Sequence, residues 1–231
     1  MVSAIIVAAG SSRRMGFDKL FAPLAGHPVL WHSLKAFGDC KEVDEILVVT
    51  REDGMDQVEA LVADSKLKKV TKVISGGPER HISVWNGLQA VDATGSAYVA
   101  IHDGARPLTT PKLIRACLDL AKVHGAACCA SQIPDTVKRA SIEQMVTESV
   151  ERTGLWAMQT PQIFSSGLIL QAYAALMARH EMVTDEVSAV QKLGKKIALL
   201  KNDDWNFKIT FPHDLELAEH VLEMRGKKVE S

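Results

Sequence analysis

The chain has 231 residues, 47% hydrophobic and 24% charged, enough for one large domain with a sizeable core. A formal net charge of −1 gives no global basic field for nucleic acid or an anionic membrane, so any anion site must be a local cluster. Aromatics at 5% also argue against a stacking platform for single strands, and the short, broken apolar runs predict no transmembrane helix.

The first apolar run, Val2 to Ala8, lacks a basic n-region and reads as an opening strand, not a signal peptide. It leads into Ala9-Gly10-Ser11-Ser12-Arg13-Arg14-Met15-Gly16-Phe17-Asp18-Lys19. Small residues let backbone N–H groups approach a ligand, and Arg13, Arg14 and Lys19 suit a polyanion such as a nucleoside triphosphate. This loop is not a P-loop: Gly10 to Gly16 has one residue too many, and Phe17 stands where Lys is needed. It does not match the dinucleotide fingerprint either, because Ser12 replaces the second glycine. Taken alone it could equally be a strand-to-helix turn with solvated arginines.

Strand-like runs recur at Ala4–Ala8, Ile46–Thr50, Val70–Ile74, Tyr98–His102 and Ala126–Ser131. Helical patterns at Val29–Phe37, Val58–Val62, Val84–Val91 and Leu113–Val123 separate them. Pro28 precedes the first helix, and Thr110-Pro111 supplies an N-cap and first helical residue for the fourth. The alternation predicts an α/β fold with a mostly parallel sheet covered on both faces, and ligands at the carboxyl ends of its strands. Between Asp135 and Arg152 the pattern breaks into polar, β-branched alternation, which reads as a two-stranded arm turning near Ser141 to Gln144. A lone hairpin is marginal in water, so the arm is expected to pack on something, a second subunit being one choice. Helices at Gly167–Ala178 and Asp185–Leu193, strands at Ile197–Leu200 and Phe207–Thr210, and a last helix from Pro212 to Met224 follow. The tail from Gly226 to Ser231 is expected to fray. With no repeat, linker or second core, residues 1–231 read as one domain with an arm at about 135–152.

Cys40, Cys117, Cys128 and Cys129 form no C-x-x-C pair, and strand neighbours such as Cys128 and Cys129 point to opposite faces. They read as buried free thiols in a reducing, cytoplasmic setting.

Other clusters leave alternatives open. Ser75-Gly76-Gly77-Pro78-Glu79-Arg80 is a plain βα turn or a second close backbone approach at a helix N-terminus. In His102-Asp103-Gly104-Ala105-Arg106-Pro107, Asp103 either faces a metal ion bridging phosphates or forms a loop-shaping ion pair with Arg106; His102 is given no chemistry. Arg152-Thr153-Gly154-Leu155-Trp156 and Gln159-Thr160-Pro161-Gln162 frame a pocket or form a hinge. Thr184-Asp185-Glu186 is a helix N-terminus first and a ligand contact second. Lys208, between Phe207 and Ile209, is edge-exposed or points into the site.

Together these motifs, with Asp135-Thr136-Val137-Lys138-Arg139 and Lys208-Ile209-Thr210, occur in an order that resembles the 2-C-methyl-D-erythritol 4-phosphate cytidylyltransferase family over essentially the whole chain. Each motif is weak alone; the ordered set is specific. Ser12 and Pro78 depart from it, the family often having glycine and an acidic residue there.

The resemblance implies a glycosyltransferase-A-like, Rossmann-like sheet with helices on both faces and a protruding β-arm for dimerisation. It implies transfer of CMP from CTP to the polyol phosphate, with Mg²⁺ as cofactor. Arg14, Lys19, Arg152 and Lys208 match its catalytic cations. Ala8, Ala9, Gly10, Gly77, Ser83, Asp103 and Gly104 match the CTP cradle. Asp103, Arg106, Thr136, Arg152, Thr184 and Lys208 match the polyol phosphate pocket, and Asp103 the metal ligand. It further implies a homodimer in which Thr136 and Arg152 reach the neighbour's site. The chemistry agrees: a phosphate monoester is an ionised nucleophile near neutral pH, so cations, not a general base, are what the reaction needs. Ribitol-5-phosphate cytidylyltransferase shares most of these motifs. A dinucleotide-dependent oxidoreductase fits the first loop poorly, and a catalytically silent nucleotide-binding regulator fits the intact cations poorly.

Overall fold

The computed structural model describes residues 1–10, 15–91 and 95–229. In chain order the strands and α-helices are β1 (Val2–Ala8), β2 (Pro23–Leu24), β3 (His27–Pro28), α1 (Val29–Asp39), β4 (Glu45–Thr50), α2 (Met55–Asp64), β5 (Val70–Ser75), α3 (Arg80–Ala90), β6 (Tyr98–Asp103), α4 (Pro111–His124) and β7 (Ala126–Gln132). There follow β8 (Val137–Ala140), β9 (Val146–Val150), β10 (Trp156–Ser165), α5 (Ser166–Ala178), α6 (Glu186–Gln191), β11 (Ala198–Lys201) and α7 (His213–Val229).

Seven strands form one sheet in the order β11-β7-β10-β6-β1-β4-β5. All but β10 run the same way; β10 is antiparallel to both β6 and β7. Because β1 is buried on both faces, it reads as a continuous apolar run. Ala4, Ile6 and Ala8 face α1, α2 and α4, whereas Ile5 faces α3, α5 and α6. The same alternation separates Cys129 from Cys128, one in each layer, and all four cysteines are free and buried. Thr110 accepts a hydrogen bond from Leu113 N–H (3.2 Å), and Gly125 ends α4 at φ 80°, where glycine avoids the Cβ penalty.

Several elements differ from the sequence expectation. β10 is a ten-residue strand inside the sheet, where Thr160-Pro161 suggested a hinge. Proline has no N–H for a ladder, and here it sits where the pairing with β7 shifts register between Met158 and Gln162. Residues 207–210 form no strand. Ile209 N–H donates to Ala105 O (2.8 Å) beyond the end of β6, and its side chain is buried with Ala218 and Val221 of α7. α3 starts four residues earlier than its apolar pattern, because the polar first turn faces a cavity. α7 continues to Val229 instead of fraying after Met224; Lys227 near its end complements the helix dipole. Strands β8 and β9 pair antiparallel and turn where expected, Gln144 N–H donating to Ser141 O (3.1 Å). Among the described residues no helix is long and apolar enough to cross a membrane.

Candidate active site

The chain runs from β1 to β4 and β5 on one side, then crosses back to place β6 on the other side of β1. The carboxyl ends of β1 and β6 therefore part company, and a crevice opens between the loops that leave them. A cavity of about 560 Å³ lies there, walled by Val7 to Gly10, Lys19, Gly77 to Arg80, Asp103 and Lys208 among others.

The walls are close because glycine allows it. A Cβ at Gly76 would lie 2.7 Å from Ala9 Cβ and 2.7 Å from Ser83 Oγ. Ser83, buried on the first turns of α3, accepts from Gly77 N–H at 3.1 Å and fixes the turn. Gly104 plays a packing role: its N–H donates to Val7 O (2.9 Å), and a Cβ would meet Leu30 Cδ1 at 2.9 Å.

Asp103 is the electrostatic centre. Its Oδ1 lies 3.1 Å from Arg80 Nε, and its Oδ2 lies 3.0 Å from Lys208 Nζ and 3.4 Å from Arg106 Nε. Burial alone would raise its pKa, but Arg80, Lys208 and Arg106 outweigh that and hold the carboxyl well below the ordinary carboxylate range. Arg80 in turn donates to Glu186 at 2.5 and 3.2 Å, and Tyr173 Oη donates to the same carboxylate at 3.1 Å. Lys208 thus faces inward; of the two readings open in the sequence, this is the one observed. Its loop is held by Asn206, whose side chain donates to Gln159 Oε1 (3.1 Å) and Thr160 O (2.8 Å).

His102 is fully buried, and burial lowers its pKa to about 3. Its Nε2 faces the Arg106 carbonyl (3.3 Å), which can only accept, so that nitrogen carries the proton. Nδ1 then accepts from Thr160 Oγ1 (2.9 Å), whose oxygen accepts from Asp103 N–H (3.1 Å). Both ring nitrogens are engaged in shaping the end of β6.

Lys19 lines the cavity and donates to Ile209 O at 2.8 Å. Arg14 lies outside the described residues. Arg106 sits behind Asp103, its Nη1 donating to Asn206 O (2.8 Å), and neither it nor Gly104 is on the cavity wall. Thr184 is exposed immediately before Asp185, which caps α6 by accepting from Ser188 N–H (3.0 Å). Thr136 and Arg152 are exposed at the neck of the β8–β9 hairpin, where Arg152 donates to Pro134 O; they are not on this cavity's wall. Arg51 carries no sequence expectation, and Glu186, expected at a helix N-terminus first and as a ligand contact second, opens α6 and pairs with Arg80. Arg51 lines the cavity and bonds Asp18 Oδ2 (3.1 Å) and Gly10 O (3.4 Å), one on each side of the first loop. Glu186 meets Arg80 from 106 positions away, a distance at which no local pattern signals a pair.

Residues 2–224 match the family IspD, 2-C-methyl-D-erythritol 4-phosphate cytidylyltransferase. The chain is 40% identical over 223 residues to the enzyme of that name from Lachnospira eligens, covering 94% of this chain and 97% of the relative. It is 41% identical over 222 residues to the one from Dehalococcoides mccartyi, covering 96% of each. Among solved structures it resembles a 4-diphosphocytidyl-2C-methyl-D-erythritol synthase from Anaerococcus prevotii, with a TM-score of 0.83 at 29% identity over 96% of this chain and 98% of the other. A 2-C-methyl-D-erythritol 4-phosphate cytidylyltransferase from Thermus thermophilus gives a TM-score of 0.79 at 29% identity over 95% and 98%. With a crevice at the β1–β6 divergence and agreement along nearly its whole length, the chain belongs to the 2-C-methyl-D-erythritol 4-phosphate cytidylyltransferase family.

Proposed function

We propose that this chain transfers CMP from CTP to 2-C-methyl-D-erythritol 4-phosphate, giving 4-diphosphocytidyl-2-C-methyl-D-erythritol and pyrophosphate in the non-mevalonate route to isoprenoids. The observation that carries this is the ionised Asp103 ringed by Arg80, Arg106 and Lys208 at the β1–β6 crevice. A phosphate-monoester oxygen attacks the α-phosphorus, and the bond to the β-phosphate breaks with pyrophosphate taking the electron pair. The nucleophile arrives ionised, so the work is to bring anion to anion. His102, neutral and hydrogen-bonded on both nitrogens, is not a base for this step.

In this reading the Ala8 to Gly10 backbone, Gly77, Ser83 and Asp103 cradle CTP, and Gly104 lets the chain turn behind it. Lys19 and Arg14 offset the charge on the triphosphate; Lys208 and Arg152, with Arg106, Thr136 and Thr184, serve the polyol phosphate. The donor set suits Mg²⁺. Two carboxylates, Asp103 and Glu79, stand on the cavity wall, and among the described residues no group of three or more His, Cys, Asp or Glu side chains is placed to hold a metal ion by itself. That pattern fits an ion completing its shell with phosphate oxygens, not an all-protein cage. When bound, the ion would supply Lewis-acid neutralisation of phosphate charge.

We read the chain as one catalytic unit whose arm, about residues 135–152, reaches a second copy and brings Thr136 and Arg152 to its site. Their exposure at the neck of the hairpin, away from their own cavity wall, supports that arrangement. Four buried free thiols support a reducing cytoplasm. The test is pyrophosphate release from CTP and Mg²⁺ with each polyol phosphate. Turnover with methylerythritol phosphate is expected; turnover with ribitol 5-phosphate alone would overturn the substrate, and none with either would overturn the reaction.

A further inference from the structure

Glu186 is fully buried, yet it opens α6, and its whole polar surroundings are Arg80 and Tyr173 among the bonds observed. Its position is fixed from the sheet. Gln162 on β10 accepts from Val187 N–H (3.1 Å) and donates to Asp185 Oδ2 (3.3 Å), so the start of α6 cannot slide along the strand. Of Gln162, Tyr173, Glu186 and Arg80, it is Arg80 that lines the cavity wall. Its Nη1 goes to Glu186 Oε1, its Nε to Asp103 Oδ1, and its Nη2 lies 3.2 Å from Glu186 and 3.1 Å from Asp103. A planar guanidinium held on two edges by two carboxylates has one orientation; held on one edge, it can turn about its stem.

We propose that Glu186 is a positioning residue, which clamps the Arg80 guanidinium against Asp103 and so ties the turn bearing Thr184 to the nucleotide side of the cavity. The clamp also divides the charge. Arg80 is shared by Glu186 and Asp103, whereas Lys208 and Arg106 face Asp103. Without Glu186, three cations would compete for one carboxylate, and Arg80 would be free to swing toward the phosphates of the substrate.

This rests on the cytidylyl-transfer reading, and the test separates the two. Wild-type turnover of CTP with methylerythritol phosphate checks the reading; the variants check the clamp. Glu186→Gln keeps the shape but removes the charge, and kcat/KM is expected to fall on the order of ten- to a hundredfold, measured well below the melting temperature. In an Arg80→Gln background the same change should cost less than about twofold, because the residue through which it acts is gone. A purely structural Glu186 would lower the melting temperature and leave kcat/KM of the folded protein alone in both backgrounds, and that result overturns the proposal. Equal losses in the two backgrounds overturn it too. Should Glu186→Gln alone fail to fold, Arg80→Gln is compared with the neutral double variant. Matching kcat/KM supports the clamp, and a further loss of about tenfold or more in the double variant overturns it.

Discussion

Lys208 Nζ stands 3.0 Å from Asp103 Oδ2 across 105 positions of sequence, on a loop that belongs to no strand. It gets there because Asn206 and Ile209 on either side of it are anchored, one to β10 and one beyond β6. Lys208→Ala should lower turnover by about 10²–10³, the usual loss when a group aimed at developing charge is removed. Lys208 is partly exposed, so melting should hardly change. Near-normal kcat would show that the lysine only balances Asp103.

Gly76→Ala inserts a methyl 2.7 Å from both Ala9 Cβ and Ser83 Oγ, with Thr50 O at 3.2 Å. Ala9 Cβ and Thr50 O cannot swing away, and Ser83 Oγ can rotate only by giving up its bond from Gly77 N–H. The expected cost is about 1–3 kcal/mol of stability, with weaker CTP binding as the walls part. Unchanged denaturant midpoints together with unchanged CTP affinity would contradict the close approach.

His102 gives a pH dependence with a definite sign. Burial lowers its folded pKa to about 3 from 6.5, so between those values the unfolded chain takes a proton that the folded chain refuses. Stability should therefore fall as pH drops below 6.5, by about 2 kcal/mol near pH 5 from this group. His32, also lowered by burial, adds in the same direction. Asp103, held far below 3.8, loses its contribution only in stronger acid and leaves this window clear. His102→Gln should flatten the slope in urea titrations at pH 7 and pH 5 in metal-free buffer; an equally steep slope would mean that the histidine titrates normally.

Subunit mixing tests the arm. An Arg152→Ala chain and a Lys19→Ala chain should each be nearly inactive. If sites are shared, their heterodimer has one site with both defects and one with neither, and activity returns. Heterodimers confirmed by mass but without recovery would refute arm exchange.

Much of this was legible from sequence for a simple reason. β1, β4 and β6 are short apolar runs whose ends carry cavity-lining loops, so locating the strands also locates Ala8 to Gly10 and Asp103. The hairpin's polar alternation likewise marked its turn. What stayed hidden depends on long-range pairing. β10 contains a proline that reads as a breaker until the register shift beside it is known. Residues 207–210 alternate like a strand, but their partner is one carbonyl, not a ladder. Glu186 looks like an ordinary first-turn acid of a helix, and only the approach of α3 to α6 gives it an arginine.

β7 and β10 are neighbours, and their pairing begins with Trp156 opposite Gln132. The chain therefore leaves the scaffold and rejoins it at one point, and everything from 133 to 155 is a closed detour. Lengthening such a detour costs little, about 0.6 kcal/mol for each doubling, and shifts no strand in the sheet. The hairpin between Thr136 and Arg152 can therefore lengthen or shorten while the sheet, and with it the crevice, keeps its shape.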